Sequence, residues 1–158
     1  MRGTISKFAE KVKMIPNTVT AFAGGIFTGA ALYVSFVEQP ARLSCGITLA
    51  VTEWRTSYKR GTVMQASLTI VGSLLAFASW WIGKDAAWLL GGILLFAVIP
   101  FTLVVILPTN RGLESANLDV SSAEAERLLR RWGALHAVRS GLGLVAFLIF
   151  LFALQRKS

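Results

Sequence analysis

Residues 86–107 read AAWLLGGILLFAVIPFTLVVIL, with no charged side chain among them. A helix needs about 20 apolar residues to cross the ~30 Å hydrocarbon core of a bilayer, and this run is long enough. Three others resemble it: Asn17–Val37, Thr62–Ile82 and Leu135–Leu154. The first two also lack Lys, Arg, Asp and Glu, and the last carries only Arg139, near its start. The expected fold is therefore all-α, an integral-membrane four-helix bundle forming one domain over residues 1–158, with spans near 17–37, 62–82, 86–107 and 135–154.

The whole chain agrees with this reading. Of its 158 residues 54% are hydrophobic and only 15% charged, and mean hydropathy is +0.62, well above soluble averages. The formal charge of +8 fits helix ends meeting anionic lipid headgroups better than a nucleic-acid partner. The single Cys45 excludes an internal disulfide and a cysteine-based metal cluster. The first apolar run follows a basic, polar segment and ends without a small-residue cleavage pattern, so a membrane span is expected there and not a cleaved signal.

Between the spans the sequence suggests shorter elements. Ile5, Phe8, Ala9, Val12 and Ile15 recur at helical spacing, with Lys7, Lys11 and Lys13 elsewhere on the wheel. Residues 1–16 thus read as an amphipathic helix on the membrane surface, with a loose basic tail as the alternative. Leu43, Ile47, Ala50, Trp54 and Tyr58 share a helical face and suggest a short amphipathic lid helix between spans 1 and 2. Gly25-xxx-Gly29 permits close helix approach, and Trp80, Trp81 and Trp88 flank the short turn Gly83-Lys84-Asp85 as an aromatic belt. Pro100 should kink the third span, which is expected to end at Leu107-Pro108-Thr109-Asn110. Ser121-Ser-Ala-Glu124 reads as a capping box opening the last helix, with Glu124/Arg127/Arg131 and Glu126/Arg130 pairing along it.

Counting crossings brings Glu38, Arg42, Trp54, Tyr58, Arg60, Asn110, Trp132, His136 and Arg139 to one end of the bundle. Trp132, His136 and Arg139 lie at i, i+4 and i+7, on one helical face. His136 is the chain's lone histidine, with an unperturbed pKa near neutrality. A guanidinium inside a span usually faces the bundle interior with a partner, which is the functional reading of Arg139; snorkelling to the headgroups is its bland alternative. Glu38 with Arg42 can equally be an ordinary i,i+4 pair, and Asn110 a helix C-cap. A metal at Glu38/His136 is a weak option because no H-x-x-x-H or E-x-x-H spacing accompanies them. One histidine also argues against haem, and four spans without a repeat argue against a transporter.

Glu38-x-Pro40-Ala41-Arg42, Trp54-x-x-x-Tyr58-x-Arg60, Pro108-x-Asn110-x-x-Leu113 and Trp132-x-x-x-His136-x-x-Arg139 occur in this order across the four spans. With these motifs, over nearly its whole length, the chain resembles the anthrone oxygenase-like family of small four-helix membrane proteins. The resemblance implies oxidation of an anthrone-like, hydrophobic phenolic substrate by molecular oxygen, with no recognised organic cofactor. It implies His136 as the base, with Glu38 orienting it or acting as base itself. Arg139 and Asn110 would meet the developing oxyanion, Arg42 a phenolate or oxyanion, and Trp54, Tyr58 and Trp132 the flat rings.

The competing expectation is a non-enzymatic membrane subunit or scaffold whose polar cluster is an interhelical network. Expected partners are the bilayer and a hydrophobic aromatic small molecule, with a homo-oligomer open through helix 1 or Gly91-Gly92. Both termini fall on one side. Basic residues divide almost evenly between the two faces, and the basic N-terminus favours the cytoplasm for that side.

Overall fold

The computed structural model describes the backbone of residues 2–156 and the side chains of residues 14–156. Residues 2–16 are helical and run unbroken into the first span as part of α1; the expected amphipathic surface face depends on side chains before Met14, which lie outside the described residues. The described residues form helices and no strands: α1 (Arg2–Tyr33), a π-helical segment (Val34–Glu38), α2 (Gln39–Ser44), α3 (Ile47–Gly83), α4 (Ala86–Phe101), a second π segment (Thr102–Ile106), α5 (Leu107–Glu114) and α6 (Ala123–Gln155). Four stretches, Met14–Ser44, Ile47–Gly83, Ala86–Glu114 and Ala123–Gln155, are long and apolar enough to cross a membrane. That is the arrangement of a multi-pass membrane protein. α1 and α4 each pack against α3 and α6, while α3 and α6 scarcely touch across the bundle's diagonal.

The two π segments share a cause. Each is five residues long and ends two residues before a proline, Pro40 in one case and Pro108 in the other. Proline has no N–H, and its ring collides with the carbonyl four residues back. Widening the preceding turn relieves that collision: Gln39 N–H donates to the Val34 carbonyl and Leu107 N–H to the Thr102 carbonyl, both at five-residue spacing. π-bulges of this kind frequently mark functional sites. Pro100 does not end its helix, and the third span continues through the second π segment to Glu114 instead of stopping near Asn110.

The separate lid helix is also revised. Ile47, Ala50, Trp54 and Tyr58 belong to the first turns of α3, which runs unbroken from Ile47 to Gly83. The apolar face itself is present. It packs with Leu113, Leu128, Leu129 and Trp132 in a core at the polar end of the bundle. Arg55 on the same stretch donates to the Leu113 and Ser115 carbonyls at 2.7 and 3.0 Å, capping the end of α5.

At the other end the core is built from rings seated on glycines. A Cβ at Gly91 would lie 2.5 Å from Phe150, and one at Gly143 would collide with Phe27. Gly24 and Gly25 meet Phe150 and Phe147, whereas Gly29 faces open space, so the Gly25-xxx-Gly29 pair is only half used. Gly91 and Gly92 are buried inside the bundle and are not a free contact surface. Trp88 leaves the expected aromatic belt: it is fully buried and stacks on Phe150 at 5.6 Å. Trp81 does face outward, with Lys84 Nζ 3.9 Å above its ring. Lys84 adopts left-handed geometry (φ 53°) to end α3, and Asp85 caps α4.

The start of α6 moves by one residue. Ser122, and not Ser121, is the N-cap and accepts from Ala125 N–H. Ser121 instead binds Asp119 through its hydroxyl and backbone N–H, and these bonds hold the Asp119 carboxyl below its usual pKa. The Glu124–Arg127 and Glu126–Arg130 pairs form as the spacing requires.

Candidate functional site

A cavity of about 400 Å³ opens at the polar end of the bundle, within the size range of small-molecule sites. Glu38, Arg42, Trp54, Tyr58, Asn110, Trp132, His136 and Arg139 all line it. Every side chain singled out as catalytic or substrate-binding from the sequence therefore faces one space. Arg60 does not; it is exposed and lies outside the lining.

The first π segment and α2 place Glu38 and Arg42, and the long N-terminal part of α3 brings Trp54 and Tyr58. The second π segment and α5 deliver Asn110, and α6 contributes Trp132, His136 and Arg139. The aromatic residues form a continuous wall. Trp54 stacks on Tyr58 (4.7 Å, 10°), meets Trp132 edge-on (5.7 Å, 80°), and Trp132 lies 4.9 Å from the His136 ring. One face each of Trp54 and Tyr58 is thus occupied by the other.

The two arginines of the wall differ. Arg42 is held by Glu38 and Glu53, and also donates to Gln39 Oε1 (2.9 Å) and Ser57 Oγ (3.2 Å). Gln39 in turn donates to the Leu129 carbonyl at 3.0 Å, fastening α2 to α6. Arg42 is thus an internal clasp, with most of its donors engaged. Arg139 lies over the Phe27 ring (5.2 Å), its Nε buried without a hydrogen-bond partner, and it forms no salt bridge among the described residues.

Glu38 does not orient His136. It pairs with Arg42, and His136 Nδ1 meets Ser35 Oγ at 3.0 Å. Asn110 is not a C-cap, since α5 continues to Glu114. Its amide donates to Tyr58 Oη (3.0 Å), leaving Oδ1 buried without a partner. Among the described residues no three His, Cys, Asp or Glu side chains gather as a metal-binding group.

Sequence reasoning missed several members. Gln65, only 4% exposed, lines the cavity with its Oε1 unpartnered; Nε1 of Trp54, a residue already singled out, is unpartnered too. An amide within an apolar span was a legible signal. Ser35 and Ser140 carried none, because small hydroxyls are ordinary in membrane helices. Four buried polar atoms of the lining thus await partners: donors on Arg139 and Trp54, acceptors on Gln65 and Asn110. Buried polar groups normally find partners, and these four are the ones that a molecule in the cavity could meet.

Comparison with known proteins identifies the family. A family model described as anthrone oxygenase matches residues 54–149. An anthrone oxygenase of Claviceps purpurea is 28% identical, covering 80% of this chain and 81% of its own. Anthrone oxygenases of Aspergillus fumigatus (80% and 85% covered) and a Cryptosporiopsis species (82% and 80% covered) are each 26% identical. No solved structure matches.

Proposed function

We propose, from the premise that this chain belongs to the anthrone oxygenase family, that its cavity oxidises a hydroxylated, anthrone-like aromatic ketone with molecular oxygen. The observation that carries this reading is Arg139, a guanidinium in the cavity wall with a buried, unpartnered Nε and no carboxylate beside it among the described residues. A charge so placed is costly unless something anionic joins it. An oxyanion formed during reaction is such a group, and preorganised donors aimed at one stabilise transition states strongly.

The chemistry needs a base and a dry pocket. An anthrone bears an acidic CH2 between two rings and opposite a carbonyl. His136 takes one proton, and the electron pair left on carbon delocalises onto the carbonyl oxygen. Arg139 and Trp54 Nε1–H offer donors for that oxygen. The electron-rich anion reduces dioxygen directly and recombines with it at carbon, giving a hydroperoxide. Loss of the second hydrogen with cleavage of the O–O bond leaves a quinone carbonyl and releases water, so the substrate supplies all the electrons and oxygen is the co-substrate. Gln65 Oε1 and Asn110 Oδ1 accept from ring hydroxyls. Glu38, already paired with Arg42, is the weaker candidate for base.

The cavity also suits an apolar substrate. Tyr33, Met64 and Leu103 line it and are themselves well exposed, which supports entry from the lipid side. The test is quinone formation and oxygen uptake by purified protein given a hydroxylated anthrone, with and without chelator. Turnover well above the spontaneous rate, lost in a folded His136→Ala variant and insensitive to chelator, is expected. No acceleration by folded wild-type protein rejects anthrones as substrates.

A further inference from the structure

We propose that Ser35 and Ser140 are positioning residues that hold the His136 imidazole in its Nδ1–H tautomer, presenting Nε2 as the free lone pair. The catalytic consequence rests on the oxygenase reading above; the tautomer itself does not.

The hydrogens available to the two serines decide the tautomer. Ser35 Oγ lies 3.0 Å from His136 Nδ1 and 3.0 Å from Ser140 Oγ. Ser140 Oγ lies 3.1 Å from the Ala31 carbonyl, 2.9 Å from the His136 carbonyl and, more distantly, 3.4 Å from His136 Nδ1 itself. Carbonyl oxygens only accept, and a serine has one hydrogen to give. The Ser140 hydrogen therefore goes to a carbonyl, whether shared or to one alone. Ser140 must then accept from Ser35, which uses the Ser35 hydrogen. With that hydrogen gone, Ser35 can only accept from His136, so the proton sits on Nδ1. An Nε2–H ring leaves a contact bare in every assignment: with Ser35 donating to Nδ1 and Ser140 to a carbonyl, the two serine oxygens meet at 3.0 Å with no hydrogen between them; with Ser140 donating to Ser35 or to Nδ1, both of its carbonyl contacts lack one.

Burial strengthens the count. Ser140 is 1% exposed and His136 3%, and Ser35 is half-buried, so solvent is poorly placed to repair an unsatisfied contact at Ser140 or on the ring. The relay joins three parts of the chain: the end of α1 through Ala31, the first π segment through Ser35, and α6 through His136 and Ser140. Its far end is a backbone carbonyl, which cannot titrate, so the relay orients the ring without supplying a second acid. Which ring nitrogen carries the proton is set by the bond the other nitrogen makes. Here the bonded nitrogen is Nδ1, and the ring lines the cavity.

His136 is the only histidine in the chain, so the tautomer can be read without assignment ambiguity. The experiment is 15N NMR of histidine-labelled, tag-free protein in detergent, at a pH where the imidazole is neutral. A protonated Nδ1 and an unprotonated Nε2 are expected in the wild type. Ser35→Ala should shift the population toward Nε2–H, Ser35→Thr should restore the wild-type pattern, and Ser140→Ala should act like Ser35→Ala. In turnover, Ser35→Ala should lower kcat at least tenfold with KM nearly unchanged. An Nε2–H wild-type ring, or a Ser35→Ala spectrum identical to wild type, overturns the relay. Retained kcat in a variant whose tautomer has switched overturns the positioning role. An Nδ1–H ring in protein that forms no quinone upholds the relay and removes the oxygenase reading instead.

Discussion

Arg42 and Arg139 face the same cavity in opposite electrostatic states: Arg42 is clasped by Glu38 and Glu53, while Arg139 forms no salt bridge among the described residues. A paired charge and an unpaired one respond differently to mutation. The contrast separates a side chain that ties α2 and α3 together from one that no carboxylate holds among the described residues.

Arg139→Met should reduce kcat/KM by about 10²–10³-fold, the range for losing one oxyanion donor, without lowering the melting temperature. Arg139→Lys keeps the charge but not the planar donor set and should recover only part of the rate. Parallel turnover and thermal-unfolding assays in detergent decide the matter. A folded Arg139→Met variant with near-wild-type turnover would reject the oxyanion role.

Arg42→Ala should act first on stability. It strands Glu38 and Glu53, frees the Gln39 amide and loosens α2 from α6. Breaking a fully buried pair costs about 3–5 kcal/mol; with both carboxylates partly exposed, about 1–3 kcal/mol is expected. Denaturant titration should show the loss, and Glu53→Gln should show a smaller one.

Gln65 has an acceptor with no protein partner. Gln65→Leu removes that group at similar volume, so stability should hold or rise. If Gln65 binds a substrate hydroxyl, KM should rise several-fold with kcat retained. Unchanged KM for a hydroxylated anthrone, measured beside an analogue lacking that hydroxyl, would exclude the contact.

Pro108 fixes the second π segment and with it the rotation of α5 that sets Asn110 against Tyr58. Pro108→Ala restores an N–H and permits an ordinary α turn. Turnover should fall while helicity by circular dichroism stays constant. Preserved activity would mean that the wide turn does not position Asn110.

Gly91 accepts Phe150 too closely for any side chain. Gly91→Ala should cost about 1–3 kcal/mol through overpacking, and Phe150→Leu should relieve part of it. A double-mutant cycle that proves additive would show that the two residues do not share this contact.

Much of the cavity lining was legible in the sequence for local reasons. Glu38 and Arg42 pair because four residues separate them on one helix, and Trp132, His136 and Arg139 share a face by the same arithmetic. Asn110, from a third helix, falls at the same end by the parity of membrane crossings. Glu53 was not foreseen as a partner of Arg42, since nothing local links positions 42 and 53 across the α2–α3 turn.

By itself the sequence determined the number of spans, the end at which the polar residues gather and the pairs within a single helix. These follow from hydropathy, length and the 3.6-residue turn. Tertiary structure alone decided which way each span is rotated: that Trp88 faces Phe150 inside the bundle, that Gly29 faces open space, and that Ser35 reaches His136 from 101 residues away. The physical reason is that lipid is as apolar as a protein core. In water a polar stripe declares the outside of a helix; in a bilayer both faces are apolar, and only the packing of rings on glycines and of hydroxyls on partners fixes the choice.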